Sequence, residues 1–336
     1  MRFSGGTRES ACNKPNLFTP LFEPLIEDLQ MKPLEPFPNF FVVGAPKCGT
    51  TSLYQYLGQH PDVYLPPKKE LHFFSYEGLS RRVAGPGDQY VLSPIPTSVS
   101  EYRAHFSGCS GEAAVGDISP SYLYFHKLAA GGIFSFAPDA RIVICLRNPI
   151  EKAFSQFCHQ RSLARETLDF EGALDAESER DALGWADFWL YASSSLYTDQ
   201  VKTFIDTFSK NRVRIYMFEE FVSAPHEMLT DLCRFLAISG NFSFDTKQRY
   251  NTSGEARSRL LAKWLLSPNV GTAIARRMIP QRLGRSVRGL LRRLNTGVKP
   301  EISNSARRRL LHYFEPDVRA LEELIARKVP WEDFRI

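Results

Sequence analysis

A chain of 336 residues, of which 43% are apolar, 24% charged and 12% aromatic, carries enough hydrophobic mass for one large α/β domain or two small ones. Its 22 prolines and 21 glycines are near average usage and form no repeat or biased tract, which excludes collagen-like, solenoid and wholly disordered architectures. The formal charge of +5 is unevenly spread, because residues 257–309 hold 14 Lys and Arg against the single acid Glu301. Such a segment points to an anionic ligand, polymer or membrane surface, or else to a solvated helical face.

No run approaches the ~18 apolar residues of a membrane-spanning helix, and residues 1–30 lack the basic, apolar and small-residue succession of a signal peptide. A soluble, cytoplasmic protein with no transmembrane segment is therefore expected. Six cysteines are scattered without CxxC spacing, so neither a zinc site nor a disulfide framework is expected, and a reducing compartment suits them.

Along the chain, residues 1–38 contain six prolines and little periodicity, and read as an N-terminal arm ahead of a single domain over 39–336. The run Phe40-Phe41-Val42-Val43, ended by Gly44, has the pattern of a buried parallel strand, and 51–59 then show helical spacing. A second buried strand follows at Arg141 to Leu146, with Asn148 and Pro149 suited to the cap and first position of a helix reaching about Leu163. A helix over 196–208, an apolar run over 213–218 and a helix over 226–236 continue the alternation. Strands alternating with helices imply an α/β fold with a P-loop-like parallel sheet, right-handed crossovers and flanking helices. From Arg257 the pattern is helical and basic, apart from a loop over 295–303, and it ends at Trp331. Leu283, Val287, Leu290 and Leu294 share one helical face there, with Arg288, Arg292 and Arg293 mainly on others.

Between the first strand and its helix stands Gly44-Ala-Pro-Lys47-Cys48-Gly49-Thr50-Thr51-Ser52, where free N–H groups and the helix dipole form an anion site. A nucleotide kinase would place Lys-Ser/Thr directly after the second glycine; here Thr50 follows Gly49 and the lysine stands earlier, at 47. No Walker-type pair is present to hold Mg²⁺, and no metal is expected.

This loop resembles the 5′-phosphosulfate loop of sulfotransferases that use 3′-phosphoadenosine 5′-phosphosulfate (PAPS). Arg141 to Ser155 resembles the 3′-phosphate motif of that family, with Arg147 and Ser155 as the implied phosphate ligands. Ser195-Leu-Tyr197 resembles its adenine-contact segment, and the run from Leu310 to Trp331 its closing helix and tryptophan. Pro66 to Phe74 contains Glu70-Leu-His72-Phe-Phe, which is similar to the catalytic element of the glycan, heparan-sulfate-type branch. The resemblance implies PAPS as co-substrate, PAP as product, Glu70 as general base, His72 beside the transferred group and Lys47 neutralising charge on the leaving oxygen. In an extended segment, a spacing of two would turn Glu70 and His72 to one side. Many glycan enzymes carry a lysine where Ile118 stands, within Asp117-Ile-Ser119-Pro; Asp117 and Ser119 are expected at most to line an acceptor pocket. The family's Lys-Gly loop is also absent, so Arg257 or Lys299 is the expected cation completing the 3′-phosphate site. The implied acceptor is a hydroxyl on a carbohydrate-containing molecule, anionic or lipid-linked if the basic segment recruits it, and no nucleic acid is expected. A nucleotide kinase-like enzyme and a non-enzymatic polyanion-binding module are the alternatives.

Overall fold

The computed structural model of the protein describes residues 37–92, 95–247 and 300–335. Among these, five parallel strands stand in the order β2-β3-β1-β4-β5: β1 (Phe40–Gly44), β2 (Val63–Tyr64), β3 (Ala114–Ile118), β4 (Arg141–Leu146) and β5 (Val213–Met217). The longer helices are α1 (Thr50–Leu57), α2 (His126–Phe136), α3 (Pro149–Ser162), α4 (Thr198–Phe208), α5 (Pro225–Leu236) and α6 (Asn304–Ile325). Every residue of β1 and β3 is buried, as a sheet covered on both faces requires.

Strands β1, β4 and β5 fall where the apolar runs predict them. Strands β2 and β3 carry no such signal: the first has two residues, and the second reads Ala-Val-Gly-Asp-Ile. Gly116 pairs in register with Phe40, and a Cβ at 116 would run into the Phe40 ring. Buried Asp117 is tolerated because Tyr102 Oη (2.9 Å), Tyr122 Oη (2.7 Å) and Ser119 Oγ (2.7 Å) all donate to its carboxylate. Pairing partners distant in sequence therefore make β3 a strand.

Helix α3 starts as expected, with the Asn148 carboxamide oxygen accepting Ile150 N–H at 3.0 Å and Pro149 in its first turn. Helix α4 begins later than its apolar periodicity predicts, since Asp317 of α6 accepts the N–H groups of Tyr197 (2.7 Å) and Thr198 (3.1 Å). Helix α6 buries Ala306, Leu310, Phe314, Val318 and Leu321, a stripe at three- and four-residue spacing. It stops at Ile325, so Trp331 lies beyond the helix in extended chain, 1% exposed, its indole N–H donating to Glu219 at 3.1 Å.

Of the proline-rich arm, only Phe37 and Pro38 are among the described residues, and Phe37 stacks on Phe136 with ring centroids 5.5 Å apart. The basic segment through Lys299, including Arg257, Arg288, Arg292 and Arg293, lies outside the described residues. Among the described helices none is long and apolar enough to cross a membrane.

Strand order reverses around β1, which has β3 on one side and β4 on the other. The crevice at the carboxyl ends of β1 and β4 is the place where an open parallel sheet receives a ligand.

Candidate active site

The loop leaving β1 is tied across the crevice mouth by Ala45 N–H, which donates to Cys145 O at 2.6 Å and so prolongs the β1–β4 ladder. Lys47 (φ 68°) and Gly49 (φ 87°) both adopt left-handed backbone, and this turns the chain sharply into α1. At Gly49 a side chain is excluded twice over, by the torsion and by the rings of Phe218 and Phe221 at 3.0–3.1 Å from a hypothetical Cβ. Gly49 caps α1 without any side-chain acceptor, so the first-turn N–H groups of Thr50, Thr51 and Ser52 face out of the helix end toward the loop. An anion there meets backbone donors and the positive end of the helix dipole.

Cys48 takes part through its backbone alone. Its side chain is fully buried, the Sγ–H donates to Pro46 O at 3.5 Å, and burial pushes the thiol up to about 12. Among the described residues the five cysteines are free thiols.

The loop after β4 lies against this cradle. Arg147 Nη1 donates to Lys47 O at 3.4 Å, its guanidinium sits 4.7 Å from the Phe218 ring centroid, and Nη2 stands 3.7 Å from Glu151. Glu151 also binds Arg307 of α6 at 2.7 Å, and Arg307 continues to Asp333 at 2.7 and 2.9 Å. A second guanidinium is thereby brought to the β4–α3 junction by the C-terminal helix, a residue that sequence reasoning missed because only tertiary packing carries it there. Ser155 follows Glu151 by one turn on the same side of α3 and is buried.

Tyr197 stands in the segment that resembles the family's adenine contact. Its ring is fully buried beside Trp331 with centroids 6.0 Å apart, and its hydroxyl donates to Arg147 O at 2.9 Å. A ring with no free face supports the Arg147 backbone. The preceding turn, Ser193–Ser195, is clamped by buried Lys152, whose ammonium donates to Ser194 O (3.0 Å) and Oγ (2.7 Å).

Glu70 and His72 arrive from the segment after β2, and not through an extended strand: both have left-handed φ, 63° and 56°. Long-range anchors do what alternation was expected to do. Glu70 N–H donates to Ile118 O at 3.2 Å, at the end of β3, and His72 N–H donates to Ser119 Oγ at 3.1 Å. Since Ser119 in turn donates to Asp117, that buried carboxylate supports the Glu70–His72 segment and does not line an open pocket.

The outcome is a Glu70 carboxylate half-exposed, with His72 Nε2 3.8 Å away and the Lys69 ammonium bound to its Oε1. Burial disfavours the Glu70 anion, but Lys69, His72 and Lys47 together outweigh it and hold the carboxyl below the usual carboxylate range. His72 behaves oppositely: burial pushes its imidazole down to about 4, with Lys69 and Lys68 reinforcing and Glu70 opposing. At neutral pH the ring is uncharged, and its Nδ1 meets Ser121 Oγ at 2.7 Å, itself 2.7 Å from Ser75 Oγ. Neither Lys69 nor Ser121 has a role in the sequence reading, although Lys69 stands directly before Glu70.

A model of the sulfotransferase family matches residues 38–241. A solved sulfotransferase from Alicyclobacillus acidocaldarius is 35% identical and superimposes over 88% of this chain and 98% of its own, with a TM-score of 0.70. Human carbohydrate sulfotransferase 15 is 28% identical over 163 residues, which is 40% of this chain and 29% of the human protein's length. Human heparan sulfate glucosamine 3-O-sulfotransferase 6 is 25% identical over 254 residues, 72% of this chain and 68% of that protein. The matched region runs from just before β1 to just past α5 and takes in both strand-to-helix anion loops and the Glu70–His72 element, so the chain belongs to the sulfotransferase family.

Proposed function

We propose that the protein transfers the sulfuryl group of PAPS to a hydroxyl of a carbohydrate-containing acceptor, with Glu70 as general base. The observation that carries this reading is the meeting of three segments at the ends of neighbouring strands: Arg147 after β4 donates to the Lys47 carbonyl after β1 at 3.4 Å, and Glu70 N–H is anchored to Ile118 O at the end of β3, the strand paired with β1. A donor with a 5′-phosphosulfate and a separate 3′-phosphate needs two anion sites close together, and the ends of β1 and β4 supply a backbone cradle and a guanidinium side by side. Those residues fit the group. The similarity to a carbohydrate sulfotransferase and a heparan sulfate glucosamine 3-O-sulfotransferase favours a sugar hydroxyl.

PAPS, when bound, supplies an activated sulfur whose bond to the bridging 5′-phosphate oxygen is the one to break. Glu70 takes the proton from the acceptor hydroxyl as the acceptor oxygen bonds to sulfur, and the bridging oxygen leaves with its electron pair as PAP. Lys47 offsets the charge that grows on that oxygen. Neutral His72, held by Ser121, offers a hydrogen bond to the group in transfer without adding a competing cation. Incubation with PAPS labelled in its sulfate and a panel of hydroxylated glycans is expected to give a labelled glycan and stoichiometric PAP; release of PAP with no labelled acceptor would refute the acceptor class, and no release at all the reaction class.

Arg147→Ala is expected to weaken PAP by roughly 10- to 150-fold, the contribution of one charge-assisted contact. Adenosine 5′-phosphosulfate, which lacks the 3′-phosphate, should be nearly unaffected. Equal losses for both ligands in titration calorimetry would make Arg147 a structural residue only.

A further inference from the structure

We infer that Lys69 is a sulfuryl-binding cation, paired with Glu70 while the donor is absent and transferred to the sulfonate oxygens when it arrives. This rests on the PAPS reading above and deepens it. Three observations support the assignment. The Lys69 side chain is largely covered, 15% exposed, although nothing in a surface Lys-Glu neighbour pair requires burial. Its ammonium is bound to Glu70 Oε1, the very atom group that must be free to accept a proton. The Glu70 that holds it is anchored through its N–H to Ile118 O at the end of β3 (3.2 Å) and stands 3.8 Å from His72 Nε2, so the ammonium sits among these residues.

The charges facing Glu70 define what the site needs. Lys69 and His72 face it from its own segment and Lys47 from the phosphate loop; Asp117 lies behind, at the end of β3, and Lys68 acts on His72. With His72 neutral, Lys47 and Lys69 leave an excess positive charge over Glu70, which matches a sulfuryl group bearing one negative charge. A carboxylate held by two cations is ionised but a weak base. Moving the Lys69 ammonium onto a sulfonate oxygen removes the closest of them, and rotation about the side chain's four flexible bonds is sufficient for that. Glu70 thereby gains basicity only after the donor is in place, and Lys69 stays an ammonium throughout, with no part in the proton transfer.

The test compares the full-length wild type with Lys69→Met, which keeps length and removes charge, and Lys69→Arg, which keeps charge. Calorimetric affinities for PAPS and PAP are measured without acceptor, followed by the pH dependence of kcat/KM. Lys69→Met is expected to weaken PAPS by roughly 10- to 150-fold and PAP by less than about 2-fold, which also reports that the variant is folded. The acid limb of kcat/KM for PAPS, which reports the donor-free enzyme, should move to higher pH, because the carboxyl loses a cation that stabilises its charged form there. Lys69→Arg should retain most of the preference for PAPS. Equal losses for PAPS and PAP, unchanged PAPS affinity, or an unmoved acid limb would each overturn the assignment. If the wild type binds neither nucleotide, the donor reading itself falls and this inference with it, a result distinct from all the others.

Discussion

Replacing Lys47 with alanine should slow sulfuryl transfer by roughly 10²- to 10³-fold and leave the fold intact, as expected for loss of one preorganised group facing developing charge. The fold should tolerate the change because Lys47 lies in the loop between β1 and α1, outside the sheet, with a partly exposed side chain. The strain of its left-handed backbone (φ 68°) is carried equally by lysine and alanine. Single-turnover rates with labelled PAPS, alongside the midpoint of urea unfolding, separate the two effects. Near-normal turnover would remove Lys47 from the transfer step and with it the reading of the whole loop. The anchor from Ala45 to Cys145 and the Gly49 turn would still stand as features of the fold.

Glu70→Gln keeps volume and removes the base, so the chemical step is expected to fall by roughly 10²- to 10⁴-fold while PAP affinity changes little. The pH dependence carries a sign that can be stated beforehand. A carboxyl held below its usual range is already ionised at neutral pH, so wild-type kcat/KM should be flat there and fall only as the medium becomes acid enough to protonate Glu70, below the ordinary carboxylate range. The glutamine variant should lack that limb. His72 cannot stand in as the titrating base near neutrality: its imidazole, pushed down to about 4, is already deprotonated, yet its Nδ1 is engaged with Ser121. His72→Ala should therefore cost less than Glu70→Gln. The reverse order, measured on the same single-turnover assay, would move the base from Glu70 to His72.

The parts of this protein legible in its sequence are those written by local physics. Continuous apolar runs announced β1, β4 and β5; Asn148-Pro149 announced the start of α3; and the spacing of Gly44, Lys47 and Gly49 announced a tight turn from strand into helix, which leaves the first N–H groups of α1 facing the loop. The Glu70 and His72 element was recognisable as a pattern, but the stated geometric reason, alternation along an extended segment, was not the one the chain uses.

What only the tertiary structure decided depends on groups far apart in the chain. Strand β3 exists because Phe40 needs the space at Gly116 and because Tyr102, Tyr122 and Ser119 neutralise the cost of burying Asp117, conditions that no window of neighbouring residues can display. Tyr197 looks in sequence like a ring available to a base, yet its neighbours Trp331 and Arg147 bury it and take its hydroxyl. Arg307 stands 160 positions after Arg147 and reaches the same Glu151 only because α6 packs its apolar stripe on the domain. Sequence periodicity determined which segments could form strands and helices and where an anion could bind. The choice of which charged side chains meet there was made by packing, because the electrostatic energy of a group depends on its burial and on partners within a few ångströms, and both are properties of the folded chain alone.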